Sequence, residues 1–143
     1  MTAGVFDDFA AIVSRIDAQV TAFALVGSPS VVMNEDDVLR KLPGCYVMPG
    51  KSKPTENGNG IHLKGEDQDW LVLIAVAYPA GSSTAPETVM GQHVLGVIRA
   101  LNGWAPAGGA YKMTYQQRSA VEYEEGYASI KLRFTHRKIV PQA

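Results

Sequence analysis

Cysteine is nearly missing from this chain: Cys45 stands alone among 143 residues. One thiol excludes an intramolecular disulfide and any cysteine-based metal cluster, and it fits a reducing compartment. Histidine is scarce as well. His62, His93 and His136 fall in an expected loop, helix and strand, with no pair at i, i+4 and neither HExxH nor Cys-x-x-Cys in the chain, so no metal or cofactor is expected. An excess of one charge sign is also missing, since 13 Lys and Arg face 14 Asp and Glu for a formal net charge of -1. No global field therefore draws the protein to nucleic acid or to a membrane. The longest apolar run, Trp70 to Tyr78, is too short to span a bilayer, and "MTAGVFDDF" places acids where a secretory signal needs bases. A soluble protein without a secretion signal is expected.

No internal repeat or linker divides the chain, so residues 1–143 read as a single domain. From Val5 to Val20, Val5, Phe6, Phe9, Ile12, Val13, Ile16 and Val20 mark an amphipathic helix. Asp7, Asp8, Arg15 and Asp17 then fall on its wet side. A short apolar run at Phe23–Val26 precedes a break at Gly27-Ser28-Pro29. Asn34 with Glu35, Asp36 and Asp37 opens a short helix that Pro43-Gly44 stops. Cys45–Pro49 reads as a strand. Residues 50–60, "GKSKPTENGNG", hold glycines, a proline and no large apolar residue, which predicts a mobile loop. "DWLVLIAVAYP" (Asp69–Pro79) alternates so little that it predicts a mid-sheet strand covered on both faces.

A second long helix starts near Thr84 or Ala85, with Pro86 in its first turn and Glu87 beside the positive end of its dipole. Met90, Val94, Val97, Ile98 and Leu101 form its buried stripe, and Gly91 and Gly96 predict another backbone close by. Asn102-Gly103 stops it. Tyr111–Val140 reads as two strands joined at Glu124-Glu125-Gly126, and Ile130, Leu132 and Phe134 alternate with Lys131, Arg133 and Thr135. The fold class is α+β: a two-layer, mostly antiparallel sheet packed by two long helices and one short helix, with a C-terminal hairpin.

Catalytic spacing is sought and not found. Cys45 has no neighbouring base, no G-x-S-x-G surrounds a serine, and "GNG" at 58–60 opens no helix. The acids at 35–37 are explained by a helix dipole, and those at 122–125 by a solvated hairpin end. His93 reads as a structural histidine and Cys45 as a small buried hydrophobe. Lys131, Arg133 and Arg137 share one face of a strand over about 20 Å. Such a stripe keeps a sheet solvated or faces an acidic partner or passing DNA.

The remaining feature is "ALNGWAP" (Ala100–Pro106), where Trp104 follows the helix stop directly and is expected to cap the helix end. This stretch resembles the L-x-G-W-x-P junction of bacteriophage tail terminator (tail completion) proteins. The order of elements is similar too, from the N-terminal helix through "PGCYVMP", the Gly/Asn-rich segment, "WLVLIAVAY" and the helix to a hairpin ending in "LRFTHRKIV". The resemblance implies a non-enzymatic virion protein that assembles with itself as a ring, a homohexamer, on the tail tube protein. The ring would end tube polymerisation and offer a docking face to neck or head-completion proteins. In a contractile tail it would meet the sheath, and DNA would pass only as cargo. The implied location is the tail–neck junction of the virion, after assembly in the host cytoplasm. Lys51, Lys53, Asn57, Trp104, Lys131, Arg133 and Arg137 are the candidate interface residues. Another neck or head-closure protein would share this order. An enzyme or ligand-binding domain with a site built from scattered residues is the competing class, and no nucleophile–base or metal spacing supports it.

Overall fold

Two rows of alternating apolar residues decide the architecture. Trp70, Val72, Ile74 and Val76 project from one strand and Ala128, Ile130, Leu132 and Phe134 from another, all nearly inaccessible to solvent. Each large side chain buried in this way contributes about 1.5–3 kcal/mol. The computed structural model describes residues 6–31, 35–55, 63–78, 85–106 and 111–141. The elements are α1 (Asp8–Gln19), β1 (Leu25–Gly27), a 3-10 turn at Pro29–Val31, α2 (Glu35–Arg40), β2 (Gly44–Thr55) and β3 (Leu63–Ala77). They continue with α3 (Pro86–Leu101), β4 (Thr114–Arg118), β5 (Glu122–Glu124) and β6 (Tyr127–Pro141). The six strands form an open sheet ordered β1-β2-β3-β6-β4, with β5 also on β6. Only the β1–β2 pair is parallel. The α+β class expected from the sequence is the one observed.

Both long helices lie on one face. Ile12, Ile16 and Val20 of the α1 segment and Met90, Val94, Val97 and Leu101 of α3 pack with Cys45, Val47 and the two rows into one core. On the opposite face Met48, Leu71 and Leu73 remain half-buried. The expectation that the apolar strand is covered on both faces is therefore corrected. Strand β3 is central, but within this chain its even-numbered residues are the ones that lie beneath the two long helices. On the other side Ala75, with Tyr46 of β2, is buried as well, whereas Leu71 and Leu73 are only partly covered within this chain.

The loop expected over residues 50–60 is corrected as well. Strand β2 runs on to Thr55, pairing Ser52 with Gln68, Lys53 with Asp67, Pro54 with Glu66 and Thr55 with Gly65. Ladder hydrogen bonds hold this polar stretch where burial does not. Residues 56–60 lie outside the described residues. A bulge between Pro49 and Ser52 is tied down by the buried Gln68, whose side-chain amide donates to the Gly50 carbonyl at 3.2 Å. Beyond Tyr46 no described strand pairs with the outer edge of β2. That edge carries Pro49 and Pro54, which lack an N–H, together with the bulge and the exposed Lys51 and Lys53. These are the features that blunt a strand edge against further pairing.

The helical glycines differ from expectation. A Cβ on Gly96 would stand 3.3 Å from Val20 Cγ2, so the end of α1 does approach there. A Cβ on Gly91 would meet nothing within 4 Å, so no neighbouring backbone accounts for this glycine. Gly91→Ala is accordingly expected to raise unfolding free energy by about 0.5–1 kcal/mol. Gly96→Ala should gain less or lose. Urea unfolding of the two variants checks both, and a loss for Gly91→Ala would show that something closes over α3 at that point.

Candidate functional site

The open sheet face is built by register. Residues of odd number on β6 stand opposite residues of odd number on β3, so Lys131 faces Leu73, Arg133 faces Leu71, Thr135 faces Asp69 and Arg137 faces Asp67. Lys131, Arg133 and Arg137 do share one face, as their spacing predicts. The stripe is not bare, however. Arg137 Nε lies 3.5 Å from Asp67 Oδ1, and Arg133 Nη1 lies 3.9 Å from Asp69 Oδ2. The Thr135 hydroxyl donates to the Asp69 carboxylate. Partly exposed pairs of this kind contribute about 0.2–1 kcal/mol each, so a partner's carboxylates can replace them at little cost. Lys53 joins the group from the other side, in register with Asp67. The face is therefore a half-buried apolar centre of Met48, Leu71 and Leu73 with cations around it. Lys51 sits in the bulge at the sheet edge, and Asn57 lies outside the described residues.

Trp104 belongs to the helical layer instead. Asn102 N–H donates to the Ile98 carbonyl at 2.8 Å and closes the last turn of α3. Gly103 then takes φ +80°, a conformation that favours glycine. Gly103 N–H donates to Met113 O, and Met113 N–H returns to Trp104 O, both at 2.8 Å. This short ladder sets the direction in which the chain leaves the helix. The indole packs against the core, and the Arg15 guanidinium carbon stands 5.5 Å from its ring centroid. Arg15 Nε also donates to the Ala100 carbonyl at 3.0 Å, so a cation of α1 covers the negative end of α3. The ring thus packs on the core, while the last carbonyls of α3 are met by Arg15 and by the Asn102 and Trp104 N–H groups.

A buried polar cluster escaped the sequence reading. Asp8 was placed on the wet side of its helix, yet it is 7% exposed. Its Oδ2 lies 3.5 Å from Lys138 Nζ and 3.5 Å from His136 Nε2. Trp70 Nε1–H donates to His136 Nε2 at 3.2 Å, so the ring proton resides on Nδ1. The signal was available, because His136 continues the buried alternation of Ile130, Leu132 and Phe134. Burial holds the His136 pKa below its ordinary value, with Asp8 opposing and Lys138 reinforcing, and the Tyr111 main chain also favours the charged form. Burial lowers His93 too, against Phe23. The Cys45 thiol is pushed up to about 12 by burial, which leaves it inert at neutral pH. Among the described residues no cluster of His, Cys, Asp and Glu could hold a metal ion, and no helix is long and apolar enough to cross a membrane.

The family model for the phage tail terminator protein matches residues 1–142 of this chain. A chain in the solved virion of a native gene transfer agent (GTA) particle superposes with a TM-score of 0.59 at 17% identity, over 92% of this chain and 93% of that one. At that identity the likeness is one of fold. No curated protein matches the sequence.

Two outcomes follow from this geometry. His93 and His136 have folded pKa values below the ordinary 6.5, so the unfolded chain binds more protons as the medium is acidified. The stability they contribute is full above pH 6.5 and is lost as pH falls through their folded values. Denaturant unfolding at pH 7.5 and pH 5 should show the loss, and His136→Gln should flatten the slope. Trp104→Ala should cost about 2–3 kcal/mol, less than for a fully buried tryptophan. A double-mutant cycle with Arg15→Ala should return a coupling of about 0.5–1 kcal/mol, checked by thermal melts.

Proposed function

Because this chain belongs to the phage tail terminator family and is thus a structural component of a phage tail, we propose that it closes into a ring, a homohexamer, on the last ring of the tail tube. There it ends tube polymerisation and presents a docking face to neck proteins at the tail–neck junction, after assembly in the host cytoplasm. DNA passes through the ring as cargo, and in a contractile tail the ring also meets the sheath. The observation that carries this reading is a family match running over residues 1–142.

The open sheet face supplies a surface with the right chemistry. Met48, Leu71 and Leu73 are only half-buried in the isolated subunit, and a contiguous apolar patch rimmed by charge is the usual mark of a protein contact. In the proposed ring Arg133 and Arg137 exchange Asp69 and Asp67 for acidic groups of a neighbour, while Lys51, Lys53, Asn57 and Lys131 extend the contact. Trp104 acts at one remove by fixing the exit of the chain after α3. Each contact in such a ring is heterologous and closes by rotation.

Native mass measurement of the purified protein, alone and with tail tube protein, should show a closed oligomer of six. A strict monomer under both conditions would sink the ring. Reversing Lys131, Arg133 and Arg137 together to Glu should abolish the oligomer while moving unfolding free energy by less than about 1 kcal/mol. Rings that persist in this variant would return the stripe to a solvated face.

A further inference from the structure

Strand β6 loses its outer neighbour partway along its length. Strand β4 pairs with it from Leu132 to Thr135, with Thr114 opposite Thr135 as the final pair. The chain before β4 then turns away, because Met113 is hydrogen-bonded to the Gly103–Trp104 segment. From His136 to Pro141 the inner edge of β6 stays paired to β3, while no described strand lies along its outer edge. A polar groove of about 380 Å³ opens at the point of departure. Lys112, Thr114, Gln116, Thr135, His136 and Arg137 line it together with Tyr111 and Asp67.

We propose that this groove and edge bind an extended acidic segment of a partner protein by strand addition. The outward N–H and C=O groups of β6 alternate as donors and acceptors, a pattern that only another polypeptide backbone returns in full. Side-chain selection comes from Lys112 and Arg137. Both are exposed, and Arg137 is held only by a partly exposed pair with Asp67. Acidic side chains alternating with neutral ones along the added strand meet these two cations. Nucleic acid fits less well. Phosphates would bring no donors for the β6 carbonyls and would meet the Asp67 carboxylate at the groove. His136 forms the buried wall of the groove, its Nε2 accepting from Trp70 and its ring lying against the Tyr111 main chain.

The identity of the partner as another virion protein rests on the assembly reading above; the binding itself does not. The test uses the purified full chain and a labelled peptide of alternating threonine and glutamate, followed by fluorescence anisotropy and amide hydrogen exchange. The expected result is binding about tenfold or more tighter than for the threonine–lysine counterpart, with exchange slowed at the alternate, outward-facing amides between His136 and Val140. Lys112→Glu and Arg137→Glu, both surface changes, should each weaken binding about tenfold or more. Absence of binding, binding without slowed β6 exchange, or displacement of the peptide by a short DNA duplex would each overturn the proposal. Native mass on the same samples keeps the two readings apart. Because Arg137 serves both readings, the peptide is offered both to rings and to the Lys131→Glu, Arg133→Glu variant that leaves Arg137 in place: no binding to either defeats strand addition alone, and a strict monomer that binds the peptide defeats the ring alone.

Discussion

The uninterrupted antiparallel ladder between β3 and β6 is the constraint from which the other features derive. Its register runs from Leu63 opposite Pro141 to Ala77 opposite Tyr127 without a bulge. Because side chains alternate with a period of two, one register assigns every residue of both strands to a face at once. Trp70, Val72, Ile74, Ile130, Leu132 and Phe134 go beneath the helices, while Leu71, Leu73, Lys131, Arg133 and Arg137 go to the open side. A slip of one residue would bury the cations and expose the core row, so the same pairing that stabilises the subunit also composes its surface.

The helical layer is fastened to this ladder at two places of different character. At one end α1 reaches β6 through Asp8, whose carboxylate lies between Lys138 and His136. At the other, α1 grips the end of α3 through Arg15, which meets both the Ala100 carbonyl and the Trp104 ring. Between them the attachment is apolar and non-directional, carried by Ile12, Ile16 and the α3 stripe. The polar contacts fix where α1 starts and how it lies, and the apolar contacts supply most of the free energy.

Much of this was legible in the sequence because it is local. The stripe of α3, its start at Pro86 and its stop at Asn102-Gly103 depend on residues within a few turns of each other. The same holds for the place of Trp104 at the helix end and for the shared face of Lys131, Arg133 and Arg137. Pairing across the sheet was legible only at the C-terminal hairpin, where the turn at Glu124-Glu125-Gly126 joins β5 to β6. Nothing near Arg137 in sequence announces Asp67, and nothing near Asp8 announces Lys138. Composition misread Gly50–Thr55 as loop, because a strand held by ladder bonds on a solvated arm needs no apolar content. Gly91 misled in the opposite direction: an exposed glycine in a helix looked like a packing device, and the space above it is open.

The outer edge of β2, with its two prolines and its bulge, has a meaning for growth. Strand pairing propagates when every unit offers an open strand edge on both sides of its sheet. Here the β2 side withholds that second valence, whatever engages the opposite margin of the sheet. In the vocabulary of polymer chemistry the described β2 margin beyond Tyr46 is a blocked end group with respect to strand pairing.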